Sequence, residues 1–165
     1  MPEPTRVVIV NTTPIIALAL IEQLDLLPRL YGLVVIPPAV QTEVLQGGAQ
    51  GIGVTEIQNA NWIRVIALTD PRRADSLPDL DRGEAQVIAL AQELRADLVV
   101  IDERLERKYA RRLKLKLTGT LGVLLRAKQV GFVQAIKPLV EQLVQGGIRL
   151  GEDVIAEALQ LAKEQ

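Results

Sequence analysis

Short apolar runs recur along this chain, and each is cut off abruptly by polar residues, glycine or proline. The first is RVVIV at 6–10, which stops at Asn11, Thr12, Thr13 and Pro14. It is too short for a helix and almost wholly β-branched, so it predicts a buried strand. Thr13 suits the N-cap of a following helix, and Pro14 suits its first position, where a missing N–H removes no hydrogen bond. LVVI at 33–36 repeats the pattern and is ended by Pro37 and Pro38. WIRVIAL at 62–68 alternates, which predicts a third strand near a sheet edge. DLVVID at 97–102 is a fourth strand, again closing on a polar residue, and LKLTG at 115–119 is a short fifth.

The intervening stretches read as helices. IIALALIEQLDLLPRLYG predicts two pieces broken near Pro28, with Gly32 as a stop. PPAVQTEVLQGG predicts a short helix with Pro38 in its first turn and Gly47 after its end. GGAQGIG at 47–53 neither follows a strand nor opens a clear helix, so it reads as a flexible loop and not a dinucleotide fingerprint. TDPRRADSLPD reads as a long exposed loop. In LDRGEAQVIALAQELRA, Val87, Ile88, Leu90, Ala91 and Leu94 form one apolar face. ERLERKYARRL is a charged helix, TLGVLLRAKQVG a helix stopped by Gly131, and 133–145 and 152–163 are two further amphipathic helices. Parallel strands need crossovers, so this alternation implies an α/β domain with a doubly wound parallel sheet, spanning 1–165 as one unit.

Composition narrows the chemistry. Apolar residues make up 48% of the chain and aromatic residues 2%, so the core is aliphatic. Formal net charge is −1, so any attraction for nucleic acid is local. Cysteine and histidine are both absent. This excludes disulfides, thiolate zinc sites, Ser-His-Asp triads and histidine ligands, and leaves only oxygen donors for a metal. The lack of cysteine fits a reducing cytoplasm. No apolar run reaches membrane-span length, and MPEPTR lacks the apolar segment of a signal peptide.

Ligands of open parallel sheets sit beyond the carboxyl ends of the strands. Asn11 ends the first strand, Glu43 lies on the helix after the second, Asp81 and Glu84 open the helix before the fourth, and Asp102 ends the fourth. Carboxylates gathered there repel unless a cation offsets them, and with hard oxygen donors that cation is Mg2+ or Mn2+. Such an ion polarises a phosphoryl oxygen and lowers the pKa of its bound water, which is phosphodiester hydrolysis chemistry. Each position also has a structural reading. Asp81 and Glu84 are spaced as a capping box, Asp102 can cap the helix that follows it, and Glu43 can be an exposed helix residue.

VNTTPIIALALIEQLDLLPRLYGLVVIPPAVQTEV, LDRGEAQVIALA, DLVVIDERLERKYA and LTGTLGVLLRAK, in this order and spacing, resemble the PIN-domain superfamily. The likeness is to a prokaryotic branch of predicted nucleic-acid-binding proteins related to VapC-type toxins, and runs over nearly all of residues 6–160. It implies a Rossmann-like three-layer fold with a five-stranded parallel sheet in the order 3-2-1-4-5. It implies an RNA-cleaving enzyme that uses Mg2+ or Mn2+. By position, Glu43, Glu84 and Asp102 match the family's acids, and Thr13 matches its small hydroxyl residue. Asn11 stands where the family usually has Asp, which removes one negative charge from the site. A catalytically inert relative that binds nucleic acid or regulates is therefore the alternative. The likeness also implies a homodimer and, by analogy, an antitoxin partner.

Beyond Asp102, the basic stretch Arg104, Arg107, Lys108, Arg111, Arg112, Lys114 and Lys116 puts Arg104, Arg107 and Arg111 on one helix face. That face could track an RNA backbone; the alternative is a solvated helix paired with Glu103 and Glu106. Gly119 and Gly122 serve tight strand-to-helix packing, since the Walker lysine pattern is absent.

Overall fold

The structure, a computed structural model, describes residues 6–47 and 51–165. Residues 1–5 of the N-terminal stretch, and Gly48, Ala49 and Gln50 of the glycine-rich stretch, lie outside the described residues. The elements in chain order are β1 (Val8–Val10), α1 (Thr12–Leu20), α2 (Leu26–Tyr31), β2 (Val34–Ile36), α3 (Pro38–Gln46), α4 (Val54–Asn59) and β3 (Ile63–Val65). They continue with α5 (Arg72–Asp75), α6 (Arg82–Leu94), β4 (Leu98–Val100), α7 (Arg104–Arg112), β5 (Leu117–Thr118), α8 (Thr120–Gln129), α9 (Lys137–Gln145) and α10 (Glu152–Leu161).

The five strands form one parallel sheet flanked by helices, as the sequence pattern predicts, and their order, β3-β2-β1-β4-β5, is the one the PIN likeness implies. Val8, Ile9 and Val10 are completely buried, because β1 lies between two strands and under helices on both faces. Ile9 pairs with Val35 on one side and Val99 on the other. The Asn11 N–H continues the ladder to the Val100 carbonyl at 3.0 Å, so the ends of β1 and β4 sit side by side. Among the helices, α3 packs on α1, α4 and α6, while α8 packs on α2 and α10. The core they enclose is one aliphatic cluster.

Several local expectations change. Helix α1 starts two residues earlier than Thr13 suggests: Asn11 is its N-cap, with Oδ1 accepting the Thr12 N–H at 2.8 Å, and Pro14 falls in the first turn. The helical break lies at 21–25 and not at Pro28. There Glu22 takes a left-handed φ of 57°, the Glu22 N–H bonds the Ala19 carbonyl, and the Gln23 N–H bonds the Leu18 carbonyl. This is a Schellman closure with glutamate where glycine is usual, which hides the signal. Pro28 is the third residue of α2, where its missing N–H had no helical partner to lose. Gly53, at φ 89°, opens the short α4, and α5 interrupts the expected 69–79 loop. Pro38 and Gly47 bound α3 as expected, and Gly131, at φ 86°, follows α8.

Helix α9 begins at Lys137 rather than near 133, and its opening is held from the far end of the chain. The Glu164 carboxylate accepts the Ile136 N–H at 2.8 Å and the Lys137 N–H at 2.9 Å, and pairs with Lys128 at 3.0 Å. Despite some burial, these donors hold Glu164 below the usual carboxyl range. Replacing Glu164 by Gln is expected to lower unfolding stability by about 1–3 kcal/mol, read from urea denaturation at pH 7. Because the folded-state value is depressed, the difference between the two proteins should shrink as pH falls through the carboxyl range.

Candidate active site

Asn11 leaves the sheet at the carboxyl end of its central strand, and both halves of its amide are used. Oδ1 caps α1, and Nδ2 donates to Glu106 Oε2 at 2.7 Å. Asn11 is almost fully buried and Glu106 entirely so. Thr12, the next residue, donates its hydroxyl to Glu43 Oε2 at 2.9 Å. Glu43 thus reaches back from α3 toward the end of β1. It can do so because residue 83, in the first turn of α6, is glycine: a methyl there would run into the Glu43 carboxylate.

Glu84 lies within electrostatic reach of that carboxylate. It forms the predicted capping box with Asp81, accepting the Asp81 N–H at 3.1 Å while Asp81 accepts the Glu84 N–H at 2.8 Å. Partial burial, with repulsion from Asp81, Glu103 and Glu43, holds its carboxyl above the usual range against the opposing backbone bond. The capping-box reading of Glu84 is thus met, and its carboxyl still feels the neighbouring acids. Glu43, Glu84, Glu103, Asp81 and Glu106 share one electrostatic neighbourhood above the end of β1.

Asp102 lies to the side of this group. Its Oδ1 accepts the Thr120 N–H at 2.8 Å and its Oδ2 the Thr120 hydroxyl at 2.6 Å. It therefore ties the start of α8 across β5, and does not cap α7, which follows it in sequence. Glycine at 119 leaves room for this turn, since a Cβ there would press on Asp102 Oδ1 and the Arg107 guanidinium. Gly122 likewise clears Thr118, in keeping with tight strand-to-helix packing. Thr13, Asp102 and Glu103 line a cleft closed on its far side by Ile148, Arg149 and Leu150 of the α9–α10 connection.

Among the described residues, no group of three acidic side chains stands close enough, as oriented, to cage an ion. Each expected ligand is engaged locally: Glu43 by Thr12, Glu84 by the Asp81 N–H, and Asp102 by Thr120. The donors nevertheless fit a hard divalent cation. All are oxygen, and Glu106 Oε1 is a buried oxygen with no hydrogen-bond partner among the described residues.

The basic helix divides. Arg104 and Arg111 are exposed, whereas Arg107 turns inward and donates to the Ile101 carbonyl at 2.9 Å. Burial and the nearby Arg111 lower the Arg107 pKa, and Asp102 partly offsets this. Glu106, read from sequence as a solvent-side partner for these arginines, occupies the buried face of α7 with Ala110. Glu106, Thr12 and Thr120 are the site residues the pattern missed. The one local signal for Glu106 is its position four residues before Ala110, which puts the two on one helix face.

Burial, then repulsion from Glu84, Asp81 and Glu103, push the Glu106 carboxyl up to about 9, despite the opposing Asn11 bond. Its folded-state value therefore exceeds the ordinary 4.5. The folded protein keeps a proton that the unfolded chain releases between those limits, so this contribution is full below about 4.5 and declines as pH rises toward 9. In EDTA, urea melts should show wild-type stability falling by up to about 1.4 kcal/mol per pH unit from this group. Glu106→Gln should flatten that component of the profile.

Residues 7–164 match a family described as a PIN domain. No curated protein matches the chain. No helix among the described residues is long and apolar enough to cross a membrane. With an all-parallel sheet in the order β3-β2-β1-β4-β5, acidic side chains gathered beyond the ends of β1 and β4, and a match over nearly its whole length, the chain belongs to the PIN-domain family, whose members are generally nucleases.

Proposed function

We propose that this protein is a metal-dependent endoribonuclease that hydrolyses RNA phosphodiesters, with Mg2+ or Mn2+ as its cofactor. The observation that carries this reading is, in a PIN-domain chain, the placement of Glu84 within electrostatic reach of both Glu43 and the Asn11-bonded Glu106 at the carboxyl edge of the sheet. A cation that draws such carboxylates together lets them stay ionised. Glu43, Glu84 and Asp102, with the Asn11 carbonyl oxygen, would hold that cation, which supplies Lewis-acid activation of the phosphodiester.

The chain's own residues do the rest. Thr12 fixes the Glu43 carboxylate, and Gly83 gives it room beside Glu84. Thr120 fixes Asp102, and Thr13 shares the cleft wall with it. Arg104, exposed at the start of α7, and Arg111, exposed in its last turn, would contact RNA phosphates along the helix, while Arg107 holds the Ile101 carbonyl. Toxin-like action, a homodimer, an antitoxin partner and a cytoplasmic setting accord with the family likeness and belong to this proposal.

One feature favours a second reading, a PIN domain that binds or regulates without cutting. Asn11 carries no charge, and its amide nitrogen is spent on Glu106. On this reading the protein binds RNA but leaves it whole, and Asn11→Asp creates cleavage.

Purified protein with Mn2+ should cut unstructured RNA, and Glu84→Gln should reduce the rate by at least about 100-fold. Uncut RNA across varied sequences, with the protein folded, would reject the nuclease reading. Gly83→Ala should displace the flexible Glu43 carboxylate rather than the backbone. Its melting temperature should therefore stay near the wild-type value while cleavage drops by about tenfold or more.

A further inference from the structure

Glu106 is an expensive choice for the inner face of α7. The side chain is completely buried, Oε2 has one partner, and Oε1 has none among the described residues. A leucine or methionine would pack the same position without leaving an oxygen unpaired. The residue is also held in a fixed relation to the end of β1. Asn11, 95 residues away in sequence, directs Nδ2 at Oε2 while its own Oδ1 is held by the Thr12 N–H. That arrangement spends one carboxylate oxygen on positioning and leaves the other available. The available oxygen lies in the field of Glu84, Asp81 and Glu103. A buried carboxyl oxygen with no partner among acidic neighbours can be satisfied by a cation, which would displace the proton the group otherwise keeps.

Resting on the metal-dependent reading above, we propose that Glu106 is a divalent-cation ligand that supplies, from α7, the carboxylate that position 11 lacks. Asn11 is then its positioning residue: the amide fixes Oε2 so that Oε1 faces the ion. The negative charge at the end of β1 is relocated across the strand-to-helix edge, and the total charge offered to the cation is kept.

Calorimetric titration of the full chain with Mn2+, in the absence of RNA, tests this, with folding of every variant checked by circular dichroism in EDTA. Glu106→Gln, which keeps the shape and removes the charge, should weaken Mn2+ binding by at least about tenfold. The double variant Asn11→Asp with Glu106→Gln should recover most of that binding, because it returns a carboxylate to the same place. If Glu106→Gln binds Mn2+ as tightly as wild type while Glu84→Gln weakens it, this assignment is overturned and the metal-dependent reading stands. If the double variant recovers nothing, the relocation is likewise overturned. Folded wild-type protein that binds no Mn2+ at millimolar concentration overturns both.

Discussion

A strand with no face open to water can carry no polar side chain along its length, and β1 is such a strand. Val8, Ile9 and Val10 are wholly enclosed by β2, β4 and the helical layers. The first polar residue must therefore coincide with the strand's exit from the sheet. Asn11 falls there, bound through its N–H to the end of β4 and through its side chain to α1 and α7. The site is thus set by burial: the same constraint that makes the run aliphatic delivers its terminal polar group to the carboxyl edge.

Around that point the chain brings in acidic side chains on α3, α6 and α7, and the main difficulty is their mutual repulsion. Two devices set their spacing. Side-chain hydroxyls hold carboxylates in place, Thr12 for Glu43 and Thr120 for Asp102. Glycines at 83 and 119 remove the side chains that would otherwise fill the space these carboxylates occupy. The remaining excess of negative charge falls on Glu106, whose burial makes the neutral form favourable in the absence of another counter-ion. Asn11 caps a helix, Glu84 completes a capping box, and Asp102 ties down α8, so each proposed ligand also holds a piece of the fold.

Much of this was legible in the linear pattern. The five strands, the Asp81–Glu84 capping box, and Pro38 and Gly47 at the ends of α3 follow from local stereochemistry and hydrophobic period. Where local signals are weak, the linear pattern misleads. Glu22 ends α1 in a conformation usually given to glycine, so the sequence points instead to the more conspicuous Pro28. Asn11 takes the capping role that the sequence offers to Thr13, because the end of β1 and the start of α1 are separated by a single residue.

By itself, the sequence determined the alternation of buried strands and amphipathic helices, the oxygen-only chemistry, and the residues standing at strand ends. These depend on neighbours within a few positions or on composition alone. Tertiary structure decided which carboxylates meet: that Glu106 turns inward to Asn11, that Arg107 supports a loop, and that Asp102 reaches Thr120 across β5. Those choices come from helix rotation and strand pairing between distant segments. A charged helix such as α7 fixes its buried face only when the sheet it packs against exists, and no local period encodes that in advance.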